Sequence, residues 1–217
     1  MLEPEREAVA DAARCLAEAG LALGTAGNVS SRHGDLVAVT RTGASLATVS
    51  ADEVAVVDLS GTSVQGPPPT SELALHLGAY HRYCAGAVVH VHGPVSTALA
   101  CVIDELPAVH YQMVALGGPI RVARYATFGT TELAETTLEA LEDRQAVLMA
   151  NHDALSYGED LSSAVGAAQL LEWVCTVYWR ACAIGTPKTL SDAQLDAVRT
   201  EMARRRYGSM VSTEGSR

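Results

Sequence analysis

The chain has 217 residues and a formal net charge of −10, which argues against nucleic acid or an anionic membrane as its main partner, because both select basic surfaces. That length suits one ordinary domain or one larger α/β unit with ample core. Its five cysteines are scattered and contain no Cys-x-x-Cys pair, which speaks against a disulfide framework or a thiolate zinc site and for a reducing cytoplasm.

Residues Met1–Leu16 are charged and amphipathic instead of a basic stretch followed by an apolar one, so no signal peptide is expected. No apolar run reaches the ~20 residues that span a bilayer; the longest candidate, Ala164–Ile184, is interrupted by Gln169, Glu172 and Arg180. Helical spacing of Val9, Ala12, Ala13 and Leu16 predicts an amphipathic helix over Pro4–Ala19 that stops at Gly20. Gly24–Arg32, rich in glycine, asparagine and hydroxyls, reads as a loop able to point several N–H groups at an anion, although such clusters are commonly plain turns. Asp35–Thr40 and Glu53–Leu59 are predicted strands, separated by Arg41-Thr42-Gly43 and a turn at Ser50. Gly61–Pro69 is a loop whose three successive prolines stiffen the approach to the next element.

Thr70-Ser71-Glu72 opens a predicted helix to about Tyr83, with a hydroxyl at the N-cap and a carboxylate in the first turn. Gly86–His92 is an apolar, β-branched run and reads as a buried strand, with His90 and His92 on one face and Ala87, Val89 and Val91 on the other. At a rise of ~3.3 Å per residue the two histidine Cα atoms stand about 7 Å apart, so both rings can meet one ion, with Glu72 as a further candidate. Pro94–Val102 reads as a short helix, Leu106–Gln112 crosses into another element, Gly117-Gly118-Pro119 is a turn, Ile120–Tyr125 a short strand and Thr130–Asp143 a helix. Ala146–Ala150 is an apolar strand ending in Asn151-His152-Asp153, which supplies a third histidine at a strand end. Three such histidines with a carboxylate form a nitrogen and oxygen set that suits Zn²⁺ and leaves a position for substrate. Glu72 and His76, four residues apart on a helix, are an alternative pair, ranked lower because an exposed helix face accounts for His76 and His81. Asp160–Ile184 is a long apolar helix, and Ser191–Gln194 a capping box for a last helix that ends in Ala203–Gly208, with arginines at its negative end. The polar tail after Met210 is expected to fray, and residues 1–217 contain no repeat or interdomain linker.

The order of motifs is more specific than any one of them. Gly-Asn-Val-Ser at 27–30, Thr-x-Thr-Gly at 40–43, Thr-Ser-Glu at 70–72, His-x-His at 90–92, His-Tyr at 110–111, Tyr-Ala-Thr-Phe-Gly-Thr at 125–130 and Asn-His at 151–152 together resemble the class II aldolase/adducin family over nearly the whole chain. Within it the resemblance is closest to L-fuculose-1-phosphate aldolases, including a terminal Tyr-Gly at 207–208. It implies a single three-layer α/β/α domain around a central, mainly antiparallel sheet, assembled as a homotetramer with active sites at subunit interfaces. It also implies Zn²⁺, or another divalent metal, on His90, His92 and His152, with Glu72 as an acid/base able to touch the metal. Gly27, Asn28, Thr42, Gly43, Thr70 and Ser71 would surround a substrate phosphate, and Tyr111 and Tyr207 would reach toward a neighbouring subunit's site.

The implied reaction is reversible retro-aldol cleavage of a ketose 1-phosphate, such as L-fuculose 1-phosphate, to dihydroxyacetone phosphate and an aldehyde. The same scaffold implies two alternatives, a pentulose-phosphate epimerase or other sugar-phosphate lyase, and a non-catalytic adducin-like oligomeric scaffold. Retention of Glu72 and all three histidines favours an enzyme, since a scaffold needs none of them. The single lysine, Lys188, lies in a Thr-Pro-Lys turn, a poor place to activate an amine for a Schiff base. Asp153 departs from the family pattern, which has glycine there. A carboxylate at that position could orient an imidazole, crowd or charge the site, or merely tolerate an unusual backbone angle.

Overall fold

The structure is a computed structural model that describes residues 1–205. Helix α1 (Glu3–Glu18) leads into strands β1 (Asn28–His33) and β2 (Leu36–Thr40), followed by β3 (Val54–Asp58), β4 (Ser63–Gln65), α2 (Leu73–Arg82), β5 (Ala87–Val91) and α3 (Pro94–Ala100). Then come β6 (Glu105–Leu106), a 3-10 helix over Tyr111–Leu116, β7 (Ile120–Ala123), α4 (Thr131–Ala140), β8 (Ala146–Met149), β9 (Asp153–Gly158), α5 (Leu161–Ile184) and α6 (Asp192–Arg205). In space the strands run β4-β3-β2-β1-β5-β9-β8-β7-β6. Every pairing is antiparallel except β7 with β8, as expected for a mainly antiparallel sheet.

Alternation along the strands divides the core into two layers. On one face Leu75, Ala79 and Tyr80 of α2 and Leu133 and Leu138 of α4 pack against Val37, Val88, Val147 and Leu155. On the other, Val9 and Leu16 of α1 and Ala164 and Ala168 of α5 meet Val29, Ala38, Val89 and Val91. Farther along, α3 and α5 bring Leu99, Leu171 and Val174 to Leu148 and Ala154. Each fully buried Val or Leu contributes about 1.5–3 kcal/mol relative to exposure, so helices on both faces are what hold β5 at the centre of the sheet.

Several local readings are corrected. The loop expected over Gly24–Arg32 ends at Gly27, and Asn28–His33 is a strand. Its polar character concealed it: Val29 faces α1, whereas Asn28 and Ser30 face α2, where polar partners wait for them. Ser63–Gln65, expected as loop, is a short strand, and Asp153–Gly158 pairs with β5 and β8. Helix α2 starts at Leu73 with Glu72 itself as N-cap residue, and Thr70 Oγ1 accepts the Glu72 N–H at 3.2 Å. His76 is completely buried, not on an exposed face, while His81 is exposed. Asp160, read as the first residue of a helix, instead caps α5 by accepting from Ser163 N at 2.7 Å, while Ser191 and Gln194 cap α6 reciprocally, as anticipated. Tyr207 and the tail after Met210 lie outside the described residues.

Candidate active site

Strand β5 carries His90 on its α2-facing side, His92 follows directly after its end, and the turn from β8 to β9 brings His152 beside them. Asn151 makes that turn in a left-handed conformation (φ 54°), an angle asparagine tolerates. One nitrogen from each of the three rings lies within 4.8 Å of the others. His90 Nδ1 donates to the Ala154 carbonyl at 2.8 Å, which turns its Nε2 inward, 3.0 Å from His92 Nε2 and 3.2 Å from Glu72 Oε2. Glu72 Oε1 lies 3.5 Å from His152 Nε2 and, among the described residues, has no hydrogen-bond partner although it is buried.

This arrangement fits a divalent cation. Burial, followed by the charge of neighbouring imidazoles, lowers His92 to about 3 and lowers His152, so both present bare lone pairs. Burial raises the Glu72 carboxyl, but the His90 hydrogen bond and charge, aided by Asn28 and His152, outweigh it and hold the group down at about 2. Burial alone would lower His90; its hydrogen bond to Glu72 and the carboxylate's charge raise it. Three imidazoles and an anionic oxygen facing one point form a donor set for Zn²⁺ or a similar ion, and the Ala154 carbonyl supplies the outer partner that fixes one ring. His76 lies apart from this group.

Glu72, His92 and His152 open onto a cavity of about 420 Å³, also lined by Gly27, Asn28, Thr42, Gly43, Thr70 and Ser71. All six residues expected around a phosphate therefore line the cavity that holds the histidine cluster. Among the described residues, the N–H groups of Gly27, Gly43 and Ser71 donate to no other group, whereas Thr42 N donates to Pro68 O and Thr70 N to Thr40 O. Asn28 is already committed on both ends of its amide, to Glu72 through Nδ2 and to His76 through Oδ1, and keeps one N–H to spare.

Two features of this wall were not read from sequence. Arg41, treated only as part of a turn, is the one guanidinium lining the cavity among the described residues. Its Nε and Nη2 donate to Glu53 Oε1 at 3.0 and 2.6 Å and its Nη1 to Thr42 O at 2.9 Å, leaving two of five N–H donors uncommitted. Tyr125 and Phe128, both largely exposed, line the cavity's apolar side. The Thr-x-Thr-Gly spacing beside Arg41 was the available signal for the first.

Tyr111 is not brought to this cavity within its own chain. It is 42% exposed and lines a separate groove with Val198 and Met202. Asp153 does not orient an imidazole, since the Ala154 carbonyl takes that place for His90, and neither Asp153 oxygen has a hydrogen-bond partner among the described residues. Burial pushes its carboxyl up to about 7. Asp153 begins β9 opposite Met149 and needs no left-handed angle.

Residues 7–179 match the family described as the class II aldolase and adducin N-terminal domain. The chain is 39% identical over 196 residues to a 5-methylthioribulose-1-phosphate/5-deoxyribulose-1-phosphate aldolase from Rhodospirillum rubrum, covering 89% of this chain and 88% of the relative. It is 35% identical to a 5-deoxy-D-ribulose 1-phosphate aldolase from Bacillus thuringiensis, covering 90% of this chain and 94% of the relative. Its fold is similar to that of a solved L-fuculose 1-phosphate aldolase, with a TM-score of 0.88 at 33% identity, over 92% of this chain and 96% of the other. Among the described residues no helix is long and apolar enough to cross a membrane.

Proposed function

The chain belongs to the class II aldolase and adducin N-terminal domain family, and we propose that it is a metal-dependent aldolase cleaving a deoxy-ketose 1-phosphate to dihydroxyacetone phosphate and an aldehyde. The relatives described above are aldolases, and therefore lyases. The observation that carries the reading is the convergence of three imidazole nitrogens and Glu72 Oε1, which has no hydrogen-bond partner among the described residues, beside a cavity also lined by Gly27, Gly43 and Ser71, whose N–H groups have no acceptor among those residues.

His90, His92 and His152, with Glu72 beside them, would hold the cation, and Zn²⁺ suits that set. When bound, the ion supplies Lewis acidity that lowers the cost of negative charge next to the bond being broken. The substrate phosphate lies on the free N–H groups of Gly27, Gly43 and Ser71 and the hydroxyls of Thr42 and Thr70, with Arg41 supplying the charge that an acidic chain otherwise lacks there. In the cleavage direction the C4 hydroxyl gives its proton to the resting Glu72 carboxylate, the C3–C4 electron pair stays on C3, and C4 leaves as the aldehyde. Glu72 delivers the proton to C3, and in condensation its resting carboxylate removes that proton again.

Tyr125 and Phe128 add aromatic rings to the cavity lining, which suits a sugar ending in a methyl or methylthio group. The L-fuculose and 5-deoxypentulose 1-phosphates share that chemistry. Tyr111 faces away from its own cavity, which supports an assembly, a homotetramer in this reading, where Tyr111 and Tyr207 handle the aldehyde oxygen of a neighbouring subunit.

The test is release of dihydroxyacetone phosphate from L-fuculose 1-phosphate, 5-deoxyribulose 1-phosphate and 5-methylthioribulose 1-phosphate, before chelation, after it, and after zinc is restored. Chelator-sensitive release from at least one is expected. Interconversion of pentulose 5-phosphates without release would replace the lyase with an epimerase, and no reaction with any of them would leave the scaffold reading.

A further inference from the structure

A file of buried side chains runs away from the cavity behind Glu72. Asn28 Nδ2 donates to Glu72 Oε2 at 2.9 Å, and Asn28 Oδ1 faces His76 Nε2 at 2.5 Å. His76 Nδ1 faces Ser30 Oγ at 2.7 Å, and Ser30 Oγ faces the Tyr80 hydroxyl at 2.6 Å. All five residues are buried, Ser30 and His76 completely. Strand β1 supplies Asn28 and Ser30 from one face, and α2 supplies His76 and Tyr80 one turn apart. Ser30, His76 and Tyr80 line no part of the cavity, so substrate contact does not account for burying three polar side chains in an apolar layer.

The proton positions follow from the Glu72 end. A carboxylate only accepts, so Asn28 must present its NH₂ to Glu72 and its carbonyl to His76. A carbonyl also only accepts, so His76 Nε2 carries hydrogen. Burial, then the nearby charge of His90, lowers His76 to about 3 and keeps it neutral, which leaves Nδ1 bare. Ser30 therefore donates to His76, and its oxygen accepts from Tyr80, whose phenol burial pushes further toward the protonated form. Every bond donates toward Glu72. Reversing any one would set two acceptors or two donors face to face, at a cost of about 1–3 kcal/mol for each buried group left unsatisfied.

We propose that Tyr80, Ser30, His76 and Asn28 form a one-way hydrogen-bond relay that commits Oε2 of Glu72 and leaves Oε1 free for the substrate proton, making Ser30 and His76 positioning residues for the acid/base. The relay rests on the role given to Glu72 in the proposed aldolase. It accounts for the free state of Oε1, the one Glu72 oxygen without a hydrogen bond among the described residues. It also accounts for the buried polar residues Asn28 and Ser30 on β1, next to the apolar β5.

Nitrogen-15 NMR of the full-length protein labelled at histidine tests the direction of the relay without any substrate. His76 is expected as the Nε2–H tautomer at neutral pH, shifted or mixed in Ser30→Ala; the Nδ1–H tautomer in the unsubstituted protein overturns the relay. Kinetics test its consequence. Ser30→Ala and His76→Leu are each expected to lower kcat by about 10- to 100-fold, as small misplacements of a reacting group do, with KM changed by less than about threefold on the same argument. The double variant should be no slower than His76→Leu alone, because both cut one chain. His76→Gln keeps one donor and one acceptor and should recover much of kcat, and with Ser30→Ala it decides the matter if His76→Leu does not fold. Metal content and melting temperature are measured on each variant. A Ser30→Ala enzyme with parental kcat, or additive losses in the double variant, overturns the positioning role. A parent that cleaves no sugar phosphate overturns the aldolase reading instead, with the tautomer still judging the relay.

Discussion

Asn28 and His90 stand opposite each other in the antiparallel register of β1 and β5. The loop that ends at Gly27 is therefore locked to the strand that carries His90 toward the imidazole cluster. Gly27 adopts φ +95°, and a Cβ placed there would lie 3.0 Å from the His90 carbonyl oxygen and 3.1 Å from Leu46 Cδ1. Gly27→Ala should cost about 1–3 kcal/mol of stability from backbone strain alone. The same change should raise KM for the phosphorylated substrate and weaken metal binding, because the push falls on β5. Thermal unfolding and metal titration check this together; parental values in both would show that loop and strand are not coupled.

Metal binding should itself stabilise the fold, since it ties the end of β5, with His90 and His92, to the turn after β8, with His152. Free Zn²⁺ at one hundred times its dissociation constant adds about 2.7 kcal/mol to a protein that binds it only when folded. A rise in melting temperature is expected for the parent, and little or none for His92→Ala or His152→Ala, whose rings contribute to the cluster. Cobalt(II) substitution gives an independent readout, with tetrahedral d–d absorption in the parent that is lost in both variants. Equal zinc stabilisation of parent and variants would place the ion elsewhere.

Arg41 should act on phosphate recognition more than on chemistry. Glu53 holds its guanidinium through two hydrogen bonds, and the Cβ position of Gly43 would lie 4.0 Å from Nη1, so the free donors sit over the expected phosphate wall. Hydrogen bonds to charged groups contribute about 1.5–3 kcal/mol. Arg41→Met should therefore raise KM about 10- to 100-fold with a smaller effect on kcat, and should weaken competitive inhibition by inorganic phosphate. An unchanged KM would leave phosphate binding to the backbone N–H groups and hydroxyls alone.

Legibility of this chain followed chemistry that a short pattern can show. Ala87–Val91 was visible because every residue but His90 is apolar and three are β-branched, and His90 and His92 share a face by strand geometry alone. His152 was visible as an Asn-His step after an apolar strand. Strand β1 was not, because two of its three buried residues, Asn28 and Ser30, are polar and the partners of Ser30 lie 46 to 50 residues away in α2. For the same reason His76 looked like a surface residue: its surroundings in sequence give no hint of Ser30 and Asn28. Asp153 was noticed as a departure, but only the fold shows that it is buried at the start of β9, while Asn151 takes the unusual backbone angle.

His76 should make stability depend on pH in a definite direction. Its ordinary value is 6.5, and burial with the nearby charge of His90 lowers it to about 3 in the fold. Below pH 6.5 the unfolded chain takes up a proton that the folded chain refuses, so stability is fully present above that value and is lost as pH falls toward 3. For one such group the loss approaches about 1.4 kcal/mol per pH unit. Glu72, lowered from 4.5 to about 2, contributes in the same direction but only below its ordinary value, so pH 6.5 to 4.5 is the window that separates the two. Denaturant unfolding of the parent and of His76→Gln across that window should give a steeper decline for the parent, by up to that slope. Other histidines are common to both proteins and cancel in the difference. Parallel declines would mean that His76 takes up its proton in the fold, and Ser30 would then accept from His76 Nδ1 instead of donating to it.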